Sequence, residues 1–214
     1  MSSPTVLMFS GGRDSTLSAI RLGLKRSPLI LVTVVAEHLF GLSTVRRRVA
    51  ELQPFLPQQS RWIIVTQPIC MSPTSLNRDT CLPCQRDYVV CGAAVAALES
   101  SDAIALGYTS YQSSWPEQSS EATDVLRPIL KAKGLELLLP VYDLQSKEEA
   151  KLELRKHSLS DEALEQKCIK QISNITLSAD QLQSELQMWK SSLQLRLDSN
   201  IDIKSHILEN TPLT

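Results

Sequence analysis

The sequence predicts an α/β fold, a doubly wound parallel sheet with a helical C-terminal extension, and three observations predict it. Short β-branched runs alternate with helical patterns through the first half of the chain. Each run is nearly continuous in apolar residues, as a strand covered on both faces has to be. The first run leads straight into Gly11 and Gly12 and then into a helix, an order that places a ligand at the carboxyl ends of parallel strands.

Taken in order, residues 5–9, 29–35, 62–66 and 103–106 read as central strands, and residues 137–141 as a fifth. Residues 15–24, 43–52 and 88–98 read as helices; the second stops before Pro54, because proline disfavours helical geometry in the residue before it. Residues 67–80, with Pro68, Pro73 and Asn77, and residues 108–120, with several Ser and Gln and Pro116, read as long loops, which inside a compact domain are usually functional. Ser146 and Glu149 have capping-box spacing and predict a helix start. Beyond about residue 158 the chain turns charged and helical. Leu182, Leu186, Trp189 and Leu193 then recur at the spacing of a docking or dimerising helix.

A chain of 214 residues that is 43% hydrophobic can bury one sizeable core. The expected division is a main domain over residues 1–157 and an extension over residues 158–214. A formal net charge of −1 provides no global field for polyanions, so nucleic acid would need a local patch or a partner. The basic runs are Lys25-Arg26 and Arg46-Arg47-Arg48, and such a run on a helix is more often a solvated face than an RNA contact. The five cysteines are odd in number, and no basic segment precedes the first apolar run. No apolar stretch approaches the roughly 20 residues needed to cross a bilayer. The expectation is a cytoplasmic protein with reduced thiols and no membrane insertion.

The most specific chemical signal is Ser10-Gly11-Gly12-Arg13-Asp14-Ser15, between the first strand and the first helix. Two glycines let the backbone turn sharply and approach a ligand, and the helix N-terminus presents free N–H groups to phosphate. The hydroxyls of Ser10, Ser15 and Thr16 add donors, and Asp14 is placed to hold Mg2+ or to fix the loop. The Gly-Lys-Ser/Thr ending of a Walker loop is absent. The segment resembles the PP-loop of the ATP pyrophosphatase superfamily, whose fold is Rossmann-like and HUP-like. That resemblance implies ATP bound by Ser10, Gly11, Gly12, Arg13, Asp14, Ser15 and Thr16, and pyrophosphate released as a substrate is adenylated. It covers roughly residues 5–170. Residues 31–35, with Val34, match the adenine-contacting strand, and Ala105-Leu106-Gly107-Tyr108 matches the strand ending in glycine. Pro140-Val141-Tyr142-Asp143 and Lys147 match a further segment, in which Lys147 either adds charge near the departing phosphates or is a solvated lysine in a helix's first turn.

Cys81-Leu82-Pro83-Cys84 is compatible with zinc, an iron-sulfur cluster or a redox pair. Cys84-Gln85-Arg86 is similar to the pattern at which tRNA thiolases of the superfamily place a cysteine facing the adenylated base. Thiolases also carry a late cysteine, matched by Cys168 in Glu165-Gln166-Lys167-Cys168-Ile169. The resemblance implies either persulfide chemistry between Cys84 and Cys168, or a four-iron four-sulfur cluster held by Cys81, Cys84 and Cys168; a structural Zn2+ is the other reading of the same set. A helix N-terminus near Gln85 is expected to lower the pKa of a nearby thiol. Cys91 lies in an apolar face and reads as core, and Cys70 lies in the loop of residues 67–80.

A second resemblance is to 7-cyano-7-deazaguanine synthase, whose substrate loop after the glycine-ended strand is matched by Ser113-Ser114-Trp115-Pro116-Glu117. It implies Trp115 stacking on a flat base and Glu117 accepting its N–H groups. That family ends in four closely spaced cysteines, of which only Cys168 is present. Departures from the thiolases are the lack of a zinc-finger module and of a basic RNA-binding appendage. The expected function is ATP-dependent adenylation followed by sulfur transfer, to a tRNA base or a deazapurine-like small molecule. The alternatives are amide and nitrile formation, or a non-catalytic ATP- or AMP-binding subunit. The expected roles are catalytic for Asp14, Cys84, Cys168 and Lys147 and substrate-contacting for Trp115 and Glu117, and the chain is expected to pair as a homodimer or with a partner subunit.

Overall fold

The computed structural model describes residues 3–25, 27–67, 80–169, 175–199 and 201–213. Its elements in chain order are β1 (Thr5–Met8), α1 (Arg13–Gly23), β2 (Leu29–Val35), β3 (Leu39–Phe40), α2 (Leu42–Leu52), β4 (Arg61–Thr66), α3 (Leu82–Leu98), β5 (Ala103–Ala105), α4 (Ser120–Ala132), β6 (Glu136–Leu138), α5 (Lys147–Lys156), β7 (Lys167–Cys168), α6 (Ala179–Asp198) and β8 (Ile207–Pro212). Six strands form one sheet in the order β6-β5-β1-β2-β4-β8, and β3 pairs separately with β7. All neighbours in the large sheet run parallel except β4 and β8. The expected doubly wound sheet is present, with β1 at its centre.

The apolar runs read as buried strands because both faces are covered. Val6, Met8, Ile30, Val32, Ile63 and Val65 point into a core shared with α3, α4 and α6. Their neighbours Leu7, Phe9, Leu29, Leu31, Trp62 and Ile64 point into the opposite core with α1, α2 and α5. Alternation exists along each strand, but between two apolar layers, so the sequence shows none.

Several elements differ from the sequence expectation. The third helix begins at Leu82 and not near Tyr88, since Pro83 occupies the first turn, where its missing N–H costs nothing. The Cys81–Cys84 motif therefore lies at the start of the helix. Helix α4 has no counterpart among the expected elements; Pro128 inside it obscures the pattern, and Ser119 caps it by accepting from Ala122 N. Strand β6 starts one residue before the expected run and ends at Leu138. Strand β8, an antiparallel edge, carries too few apolar residues to be read as a strand. Ser146 accepts from Glu149 N at 3.1 Å, while Glu149 Oε2 accepts from Gln145 N at 2.8 Å, one residue before the usual capping-box partner. The loop expected over residues 67–80, with Cys70, lies almost wholly outside the described residues.

The C-terminal stripe is a docking face used within the chain. Leu186, Trp189 and Leu193 are buried in the core with α3 and α4, and Leu182 packs against them. A true capping box, Ser178 with Gln181, starts this helix. Among the described residues no helix is long and apolar enough to cross a membrane. Leu193 is 0% exposed, so Leu193→Ala is expected to lower the unfolding free energy by about 2–5 kcal/mol. Urea denaturation checks this; a loss below about 1 kcal/mol would show that α6 packs loosely.

Candidate active site

The phosphate loop leaves β1 at Phe9 and enters α1 at Arg13. Gly11 has φ +83°, a conformation that side chains resist, and a Cβ there would sit 2.9 Å from Leu164 O. Gly12 precedes the first helical residue. Its N–H donates to Ser10 Oγ at 3.2 Å, Ser10 Oγ lies 3.1 Å from Ser15 Oγ, and Thr16 Oγ1 donates to Gly12 O at 2.6 Å. The hydroxyls named from the sequence thus line one small turn at a helix N-terminus.

Two further segments close on this turn. Gly107 follows β5, the neighbour of β1, and a Cβ on it would lie 2.8 Å from Ser15 N and 3.0 Å from Asp14 C. Opposite, residues 160–168 form a strap across the loop. Arg13 Nε donates to Asp161 O at 2.7 Å, Thr44 Oγ1 to Leu164 O at 2.9 Å, and Gln166 Nε2 to Val34 O at 2.8 Å. The strap then becomes β7, with Cys168 opposite Leu39.

Helix α2 holds the strap. Arg48, 0% exposed, donates to Ser160 O at 2.9 Å and to Glu162 O at 2.7 Å, and Glu51 neutralises it at 2.6 Å. Arg47 pairs with Glu162, and Arg46 pairs with Glu209 and stands over the Trp62 ring. Two of the three arginines thus lie on an exposed, ion-paired face, as the run suggested, and Arg48 alone is buried.

Asp14 accepts from Tyr111 OH at 2.7 Å. Burial raises its carboxyl to about 6, with Tyr111 and Arg13 opposing and Glu165 reinforcing the rise. Glu165 lies over Gly12, its Oε2 being 3.2 Å from where a Cβ would stand, and that oxygen is buried without a hydrogen-bond partner. An orphaned carboxylate oxygen beside a second buried carboxyl fits a divalent cation. Two protein carboxylates suit Mg2+, which keeps several waters and takes phosphate oxygens for the rest.

The thiols form a second cluster. Cys81, Cys84 and Cys168 are half-buried and free. Burial, and then the neighbouring charges, push Cys81 up to about 12 and Cys84 up to about 11. The expected lowering by the helix N-terminus is overturned, because desolvation of a thiolate outweighs the dipole. Cys84 Sγ lies 3.8 Å from Nε2 of the buried His38, whose pKa burial lowers against the charge of Asp87. Among the described residues no group of three or more His, Cys, Asp or Glu is arranged to hold a metal ion. Cys81, Cys84 and Cys168 therefore do not fit a ready-made zinc or cluster site.

Glu117 is buried and electrostatically close to Cys81, and its carboxyl is raised by burial. Trp115, half-buried, precedes the short 3-10 turn that carries it. Glu117 belongs to the thiol side. Lys147 is exposed at the first helical position of α5, and no hydrogen bond ties it to the loop. Asp143 of the same segment pairs with Arg21 at 2.5 Å, in the last turn of α1 and so away from the phosphates. Sequence reasoning missed Tyr111, Glu165, Gln166, Arg48 and His38. Glu165 and Gln166 adjoin Cys168, and that proximity was the one available signal.

No family model matches the chain, and no curated protein sequence does. Solved structures do. The crystal structure of a 4-thiouridine synthetase–RNA complex with bound ATP matches at TM-score 0.62 and 18% identity, over 92% of this chain and 52% of that one. NMN synthetase from Francisella tularensis matches at TM-score 0.50 and 10% identity, over 94% and 89%. The chain spans about half the length of the 4-thiouridine synthetase chain it matches. The chain shares the doubly wound α/β fold of these structures.

Two outcomes follow from this geometry. Gly107→Ala places a carbon against the backbone at Ser15 and should weaken ATP binding at least tenfold by calorimetry, while Gly134→Ala, strained by its φ of +75° but meeting nothing nearby, should cost stability and leave ATP binding unchanged. A carboxyl held at about 6 instead of 3.8 costs the folded state about 3 kcal/mol once ionised. This cost is absent below pH 4 and complete above pH 6. Asp14→Asn should therefore stabilise the metal-free protein by about 1–3 kcal/mol at pH 8 and by little at pH 4, measured by urea unfolding.

Proposed function

We propose that the chain binds ATP with Mg2+ at Ser10, Gly11, Gly12, Arg13, Asp14, Ser15 and Thr16, adenylates an acceptor and releases pyrophosphate, in the service of sulfur transfer. The observation that carries this reading is the glycine turn at the head of α1 with the Asp14 and Glu165 carboxyls converging beside it. Without a counter-ion those two groups would repel the triphosphate. Bound Mg2+ would neutralise that charge and polarise the phosphates.

In the chain's own chemistry, loop N–H groups and the Ser10, Ser15 and Thr16 hydroxyls orient the phosphates. An acceptor oxygen attacks the α-phosphorus, the bond to the β-phosphate bridging oxygen breaks, and pyrophosphate leaves. Positioning and charge neutralisation supply the acceleration, without a protein nucleophile in this step. The activated acceptor carbon then exchanges its bond to the AMP oxygen for a bond to an incoming sulfide-level sulfur, and AMP departs. Cys84 and Cys168 are the residues proposed to handle that sulfur, with the neutral imidazole of His38 available to take the Cys84 proton. The half-buried Trp115 and the buried acid Glu117 suit a flat heterocyclic acceptor. A nitrogen nucleophile would use the same first step, and the unformed cysteine metal set favours keeping that second reading.

Asp14→Ala should reduce ATP-dependent pyrophosphate release with unfractionated tRNA by at least about 100-fold. Cys84→Ser should leave pyrophosphate release within about threefold of wild type while abolishing incorporation of labelled sulfide into tRNA. Wild-type incorporation by Cys84→Ser would remove the sulfur role; undiminished pyrophosphate release by Asp14→Ala would remove the adenylation reading altogether.

A further inference from the structure

Tyr111 stands at a junction that the proposed chemistry does not use. Its hydroxyl donates to Asp14 Oδ1 at 2.7 Å, so one oxygen of the carboxylate proposed to face Mg2+ is oriented by a residue outside the phosphate loop. Tyr111 belongs to a short 3-10 turn, Ser110–Gln112, four residues after the Gly107 contact. That turn is fastened at three points. Ser110 Oγ donates to Leu144 O at 2.7 Å, Gln118 Nε2 to Gln112 Oε1 at 2.8 Å, and Trp115 N to Gln112 O at 2.9 Å. Gln118 Oε1 also accepts from Thr109 N at 3.2 Å, so residues 109–118 are cross-linked into one unit. This unit reaches the thiol side through the charge of Glu117, which acts on Cys81, and the residue before it does so through Tyr108 OH, which accepts from Gln85 Nε2 at 2.8 Å next to Cys84.

We propose that Tyr111 is a positioning residue that ties the Asp14 carboxylate to residues 107–119, so that Mg·ATP at the phosphate loop holds this segment, and the acceptor side it carries, more tightly. The inference rests on the nucleotide reading above. Gly107 against Ser15 fixes the near end of the segment whether or not nucleotide is present. The Tyr111 hydroxyl is the contact within it that senses the Asp14 carboxylate itself.

Hydrogen exchange of the full chain, with and without Mg·ATP, tests this, with calorimetry on the same samples to show whether Mg·ATP binds. In wild type, Mg·ATP should slow exchange across residues 107–119 by at least about threefold. In Tyr111→Phe, which keeps the ring and removes the donor, Mg·ATP should still bind within about tenfold of wild type but without that protection. Wild type tests the idea even if the variant fails to fold: binding without protection in wild type overturns the coupling alone. Equal protection in wild type and Tyr111→Phe also overturns it. No binding heat in wild type overturns the nucleotide reading, and the coupling with it.

Discussion

Gly107 and Leu164 approach the turn between β1 and α1 from two sides, each so closely that a single added carbon would meet backbone atoms within 3 Å. One contact comes from the segment after β5, at the point where the strand order reverses, and the other from the strap that follows α5. Because backbone cannot yield as a flexible side chain can, these contacts fix where both segments lie. They determine which side chains can reach Asp14, Gly12 and the end of β2, and which are carried onward to the thiols.

The strap depends in turn on a buried charge. A guanidinium as enclosed as that of Arg48 needs its donors used, and here two of its bonds go to strap carbonyls and one to Glu51, while its buried Nε finds no partner. A carbonyl accepts from whatever residue carries it, so the geometry of the strap is set by its backbone path, whatever side chains it bears. The side chains Glu165, Gln166 and Cys168 are then free to serve the site.

The site is arranged against its own electrostatic preference. Asp14 is buried, with the charge of Glu165 raising its carboxyl and that of Arg13 lowering it, and Cys81 and Cys84 are too desolvated to ionise near neutral pH. Such an arrangement gains stability from a cation at the carboxylates and gains reactivity at the thiols only when a proton acceptor such as His38 is used. The two clusters are joined by the strap on one side and by residues 107–119 on the other.

Much of this was legible in the residues alone. The apolar runs announced a sheet covered on both faces, and Ser10-Gly11-Gly12-Arg13-Asp14-Ser15 announced the glycine turn at the head of α1, because local backbone needs and buried strands leave marks in sequence that do not depend on the rest of the fold. Helix α4 was hidden by Pro128, and β8 by a composition that suits an edge strand. The helix start at Leu82 was shifted by Pro83, whose effect depends on where the first turn falls. Glu165, Tyr111, His38 and Arg48 carry no local signature at all: a carboxylate comes to act on Asp14, and a tyrosine to brace it, only through a partner 97 or more positions away in the chain. The turn and its sheet are therefore properties of the sequence by itself. The charge state of the thiols, the pairing of Asp14 with Tyr111 and Glu165, and the burial of Arg48 were decided only by tertiary structure, because desolvation and long-range contact exist only once the chain has closed on itself.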